Sequence, residues 1–142
     1  MIVSGLNHAM HSMKDDGTNL KITEDIVDGA EAELNSTDYA YENSNDLFGE
    51  GTNKCNKFVS DITSGADASA GTPSERLGLM PPTAGQGADS SYNIDNWKVV
   101  TSPRTGDVVA RARNYSDATG HGAIMDSKSS SIGAGHSVVH RG

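Results

Sequence analysis

Helical and strand-like patterns in this 142-residue chain do not alternate along the sequence; they are segregated. Ile26, Val27, Ala30 and Leu34 recur at helical spacing, and so do Cys55, Phe58, Val59 and Ile62. The apolar and β-branched runs "WKVVTS", "DVVARAR", "HGAIMD" and "SIGAGHSVVH" all come later, separated by the turn chemistry of "PRTG", "NYSDATG" and "SKSS". Strict alternation of the two patterns would build a parallel α/β sheet. Helices first and strands afterwards indicate an α+β domain, with N-terminal helices packed on an antiparallel sheet.

The expected boundaries follow from that order. Residues 1–22 show no sustained period and are expected to be irregular, with a single domain over 23–142. A first helix is expected over about 24–34, with Thr23 as N-cap, Glu24 and Asp25 at the positive end of the dipole and "NST" ending it. "DYAYENSNDLFGEGTN" reads as loop. Thr52 or Asn53 can then cap a second helix, which puts Cys55 in its first turn. Residues 64–96, rich in Gly, Ala, Ser and Pro, read as a long loop with room for one short helix at "TAGQGAD". Hydrophobic residues at 35% and aromatics at 5%, with sixteen glycines, leave a lean core wrapped in loop, enough for one domain.

Several function classes fall away on composition. One cysteine forms no internal disulfide and no multi-cysteine zinc site. A net charge of −8, with eleven scattered basic residues, argues against nucleic acid as partner. No run reaches the roughly 18–20 apolar residues of a membrane span. The opening residues lack the basic and apolar regions of a Sec-type signal. His8 and His11, three apart, could share a helical face, but two histidines without a third ligand do not make a metal centre, and neither metal nor cofactor is expected.

The lone Cys55 therefore carries the functional question. A solitary cysteine is commonly a small buried hydrophobe. In a first helical turn, beside Lys54 and Lys57, it is also where a thiolate is stabilised by unpaired N–H groups and the helix dipole. A cysteine nucleophile needs a base and a group to orient that base. His121, opening a strand after "DATG", is the candidate base. If "DSKSS" bends between antiparallel strands near Lys128, the residue opposite His121 is about 135, which makes His136 the candidate orienter. Asp126 and Ser131 lie closer to the turn. His136 and His140 can instead be polar positions on a half-exposed terminal strand. Oxyanion or substrate-positioning candidates are the backbone N–H of Cys55, the hydroxyl of Tyr41 (with Tyr39 nearby) and Asn53.

"GTNKCNKFVSDI", "SPRTGDVVA" and "TGHGAIM", in that order, resemble the NlpC-like cell-wall peptidases, papain-related cysteine hydrolases. Ala123 stands where that family usually has glycine. The resemblance covers roughly residues 24–140. It implies a papain-like NlpC-type fold with Cys55 as nucleophile, His121 as base and a third polar residue on the following strand. It also implies hydrolysis of an amide in the peptidoglycan stem peptide, most typically γ-D-glutamyl–diaminopimelate, through a thioester acyl-enzyme and without a cofactor. Without a Sec-type signal, it further suggests an antibacterial effector of the type VI secretion kind, acting in the wall of a target bacterium and matched by a cognate immunity protein. The scaffold also serves cross-link endopeptidases, muramoyl-alanine amidases, protein deamidases and non-catalytic peptide binders, because specificity resides in loops.

Overall fold

The computed structural model describes residues 8–13, 20–45, 48–66, 88, 97–112 and 120–142. Over these residues the architecture is α+β. The helices are α1 (Leu20–Ala32) and α2 (Cys55–Gly65). The strands are β1 (His8–Met13), β2 (Trp97–Val100), β3 (Val108–Ala112), β4 (Gly120–Met125), β5 (Ser131–Ala134) and β6 (Val139–Arg141). They form a six-stranded sheet in the order β2-β1-β3-β4-β5-β6, with every neighbouring pair antiparallel.

β1 corrects the expectation that residues 1–22 are irregular. "HAMHSM" alternates, but it holds no β-branched residue and no Phe, Tyr or Trp, so it has little strand signal of its own. Pairing on both sides makes it a strand: Met10 lies opposite Val100 in β2 and Val109 in β3. Met10 and Ser12 are buried, and the Ser12 hydroxyl donates to Asp107 Oδ1 at 2.6 Å. The helical spacing behind a His8–His11 pair does not exist, because both residues lie in this strand.

α1 begins at Leu20, so Thr23 lies within the helix instead of capping it. Its methyl group packs on the turn before β3, where Gly106 sits at φ +89° and a Cβ would come within 2.9 Å of Thr23 Cγ2. Only glycine meets both demands. The helix closes through Asn35, which takes the left-handed conformation (φ 71°) and donates its N–H to Val139 O at 2.8 Å.

Both helices lie on one face of the sheet. Ile26 and Ala30 of α1 and Phe58 and Ile62 of α2 join Trp97, Ile124, Ile132, Ala134 and Val139 in a single core. Burying the isoleucine, valine and phenylalanine side chains among them stabilises the fold by about 1.5–3 kcal/mol each. The helical face expected for α2 is the one observed, with Cys55, Phe58 and Ile62 buried and Val59 half-buried. Tyr39 meets Phe58 edge to face (5.3 Å, 86°), and its hydroxyl donates to Asp61 Oδ2 at 2.6 Å. Lys57 bonds the other oxygen of Asp61, also at 2.6 Å. Burial, followed by Asp61, pushes the Tyr39 hydroxyl pKa far up, so it stays a donor.

The strands expected after residue 96 are present, and "SIGAGHSVVH" is two strands, β5 and β6, parted at Gly135. The β4–β5 hairpin is centred on Lys128, with Met125 opposite Ser131. Of the expected loop 64–96, residues 67–87 and 89–96 lie outside the described residues; Ala88 in "TAGQGAD" is helical and fully buried. Among the described residues no helix is long and apolar enough to cross a membrane.

Candidate active site

α2 starts without a side-chain cap. Lys54 occupies the N-cap position (φ −127°, ψ 23°), and its side chain makes no capping hydrogen bond. This corrects the expectation that Thr52 or Asn53 caps the helix. The Thr52 hydroxyl donates instead to Gly49 O at 2.6 Å, and Asn53 is half-buried just ahead of Lys54. The Lys54 side chain turns inward onto backbone carbonyls, and an ammonium, which only donates, cannot accept from the first-turn N–H groups. Cys55 is therefore the first helical residue, at the end where backbone N–H groups have no partner within the helix.

The thiol sits against the edge of β4. Gly106 N–H donates to Met125 O and Met125 N–H donates to Asp107 O, so the polar groups of Met125 face β3. In an antiparallel strand the direction alternates, so those of Gly120, Gly122 and Ile124 face β5. The β4–β5 ladder pairs only Ile124 with Ile132 and Met125 with Ser131, and it does not continue toward Gly120. Cys55 Sγ takes up that vacated edge, 3.8 Å from Gly120 O, a weak S–H contact, with the Gly122 N–H also directed at the sulfur.

Two influences set the acidity of this thiol. Cys55 is only 6% exposed, and burial raises its pKa; the N–H groups of Gly122, Asn56 and Cys55 oppose that without reversing it. The first-turn donors thus act in the direction the sequence suggested, yet burial outweighs them. A thiol held protonated in this way needs a base before it can attack.

His121 lies between the two backbone groups that meet the thiol. Gly122 points toward α2, since a Cβ there would meet Val59 Cγ2 at 3.8 Å. His121 therefore projects from the opposite face of the sheet. Its ring reaches across to β5, where a Cβ on Gly133 would stand 3.0 Å from Nε2. Thiol and imidazole flank the same gap between β4 and β5 from its two sides. His140, paired with Gly133 across β5 and β6, lies over the next glycine on that face, Gly135.

The structure joins His136 to Tyr41. Their rings stack at 4.5 Å and 17°, and Tyr41 N–H donates to His136 O at 2.7 Å. β5 has ended by then, so His136 reaches this position in the bend before β6 and not along a ladder with His121. Asp107, the second residue of the "GD" motif, has a structural task. Buried, it accepts from Ser12 Oγ and from Arg104 N–H at 2.8 Å, fixing the turn that aims β3.

Two residues of this region carried no reading as site residues in the sequence. Gly133 matters through the side chain it lacks, which no pattern displays. Lys54 read as one more positive charge beside a cysteine, although its burial turns it into a structural tie. Among the described residues no cluster of three or more His, Cys, Asp or Glu gathers to hold a metal ion. The chain matches no family model, no curated protein and no solved structure.

Proposed function

We propose that this protein is a cysteine hydrolase of the papain-like, NlpC kind that cuts an amide bond in the peptidoglycan stem peptide. The observation that carries this reading is the position of Cys55 Sγ, at an uncapped helix start and against the β4 edge on either side of His121. A purely structural cysteine has no need of that edge or of first-turn N–H groups directed at its sulfur. The order of the three sequence motifs supplies the substrate class.

In this reading His121, which reaches the β4–β5 gap from the opposite face of the sheet, accepts the Cys55 proton across that gap, and the sulfur attacks the amide carbonyl carbon. Negative charge develops on the carbonyl oxygen, toward the first-turn N–H groups. The C–N bond breaks as His121 returns the proton to the leaving amine, and a thioester forms. Water, deprotonated by the same imidazole, then hydrolyses the thioester to a carboxylic acid and restores the thiol. In this reading the Tyr41–His136 stack, linked to Lys54, the residue before Cys55, supplies a wall for the peptide.

The test is incubation of the wild-type protein and Cys55→Ala with purified Gram-negative peptidoglycan, followed by mass spectrometry of soluble fragments. Fragments from the wild type alone are expected, and their masses name the bond, separating a γ-D-glutamyl–diaminopimelate endopeptidase from a cross-link endopeptidase or a muramoyl-alanine amidase. Equal release by Cys55→Ala, or none by either protein, overturns the reading.

A further inference from the structure

Lys54 is among the most completely buried side chains described, at 2% exposure, and no step above uses it. Burying an ammonium without compensation is costly, so its partners say what it is for. Nζ donates to Thr52 O at 2.8 Å and to Ala40 O at 3.2 Å, with a longer contact to Tyr41 O at 3.5 Å. Three donors thus meet three carbonyls, all on the loop that precedes α2. The same loop is also held by Gly51 N–H donating to Tyr41 O at 2.7 Å, by the Thr52 hydroxyl on Gly49 O and by the Asn45–Phe48 bridge, but of these ties only those of Lys54 come from the residue next to Cys55.

On its far side Tyr41 meets His136. Its N–H holds His136 O and its ring stacks on His136. A continuous path therefore runs from the residue beside the nucleophile, through the Tyr41 backbone, to His136. We propose that Lys54 is a positioning residue: by holding the carbonyls of Ala40, Tyr41 and Thr52 it fixes the Tyr41–His136 wall against the start of α2, and with it the seat of the peptide substrate. Its substrate half rests on the hydrolase reading; its structural half does not. Lysine suits the task because a flexible stem reaches inward and three N–H groups diverge from one atom, which a flat guanidinium cannot reproduce.

The Tyr41 ring shifts the ring protons of His136, so the Cε1–H resonance of His136 reads the stack directly in the absence of substrate. In Lys54→Met, which keeps length and loses the donors, that resonance is expected to move at least halfway to its position in Tyr41→Leu. KM for the stem peptide is expected to rise tenfold or more, while the rate of Cys55 alkylation stays within twofold of wild type, a split that general loosening would not give. An unmoved His136 resonance in folded Lys54→Met overturns the inference, and so does an unchanged KM. Should Lys54→Met fail to fold, Lys54→Gln, whose amide ends one bond short of the Nζ position, is expected to move the resonance detectably toward its position in Tyr41→Leu and to raise KM, and an unmoved resonance there overturns the inference. A wild-type protein that cleaves no peptidoglycan, together with a displaced His136 resonance in Lys54→Met, removes the hydrolase reading and leaves the tie in place.

Discussion

The imidazole of His121 rests on Gly133: a side chain beginning at Gly133 would lie 3.0 Å from Nε2, 3.1 Å from Ala123 Cβ and 3.2 Å from Gly122 O. Two of those neighbours are a short side chain and backbone, so neither can swing aside. The histidine ring must move. Gly133→Ala is therefore expected to lower kcat on the stem peptide by tenfold or more while the chain still melts cooperatively. Turnover at the wild-type rate in that variant would show that the ring's seat on β5 is irrelevant to chemistry.

Replacing the ring itself is the complementary case. General-base catalysis contributes typically 10²- to 10⁴-fold, so His121→Ala is expected to lose about that much in kcat. Cys55 alkylation at pH 9.5, where hydroxide can replace the base, should change far less. Comparing the two rates on one sample separates lost proton transfer from lost folding.

The buried thiol gives the protein a characteristic dependence on alkaline pH. Its pKa is raised by burial, so the midpoint for iodoacetamide alkylation is expected above the ordinary value of about 8.5. The folded chain holds that proton more tightly than the unfolded chain does. Its contribution to stability is therefore full below about pH 8.5 and is lost as the pH rises through the folded-state value. Cys55→Ala should lose this dependence, which urea titrations at pH 7.5 and 10 can measure.

Gly106→Ala addresses the turn before β3. The residue would have to adopt φ +89° with its Cβ 2.9 Å from Thr23 Cγ2. Backbone strain of this kind costs of order 1–3 kcal/mol, and the clash adds to it. Chemical denaturation should show a loss of at least that size, since α1 and the β3 turn cannot separate without opening the core.

Asp61 holds two partners on different elements, Lys57 one helical turn earlier and the Tyr39 hydroxyl from the loop. Asp61→Asn keeps the shape and removes the charge. With the Lys57 side chain only 6% exposed and Asp61 a quarter exposed, the expected loss is about 1–3 kcal/mol, read as a lower midpoint in denaturant.

What the sequence made legible was whatever depends on a repeating apolar pattern. The buried face of α2, the strands after residue 96 and the hairpin centred on Lys128 all follow from side-chain period and turn chemistry. β1 escaped because its six residues owe their conformation to partners roughly ninety residues away and not to their own propensities. The cap at Thr52 or Asn53 was misassigned because nothing local reveals that Lys54 turns inward. In the candidate site, the first-turn placement of Cys55 was readable, whereas its contact with the β4 edge was not, because a ladder that stops after two pairs leaves no mark in the sequence. Tyr41 and His136 were each singled out separately; their stacking depends on the path of two loops, which no spacing encodes.

β1 lies between β2 and β3, and in chain order it precedes both by most of the molecule's length. On the ribosome it emerges first and has nothing to pair with until Trp97–Val100 and Val108–Ala112 have followed. A helix can form as it appears, but this sheet cannot grow outward from its earliest strand; it has to be closed around it late. Synthesis and assembly are thereby separated in time: the interval in which the strand waits unpaired is set by translation of the intervening chain, and the helix that carries Cys55 is made before the sheet that gives its thiol an edge to rest on.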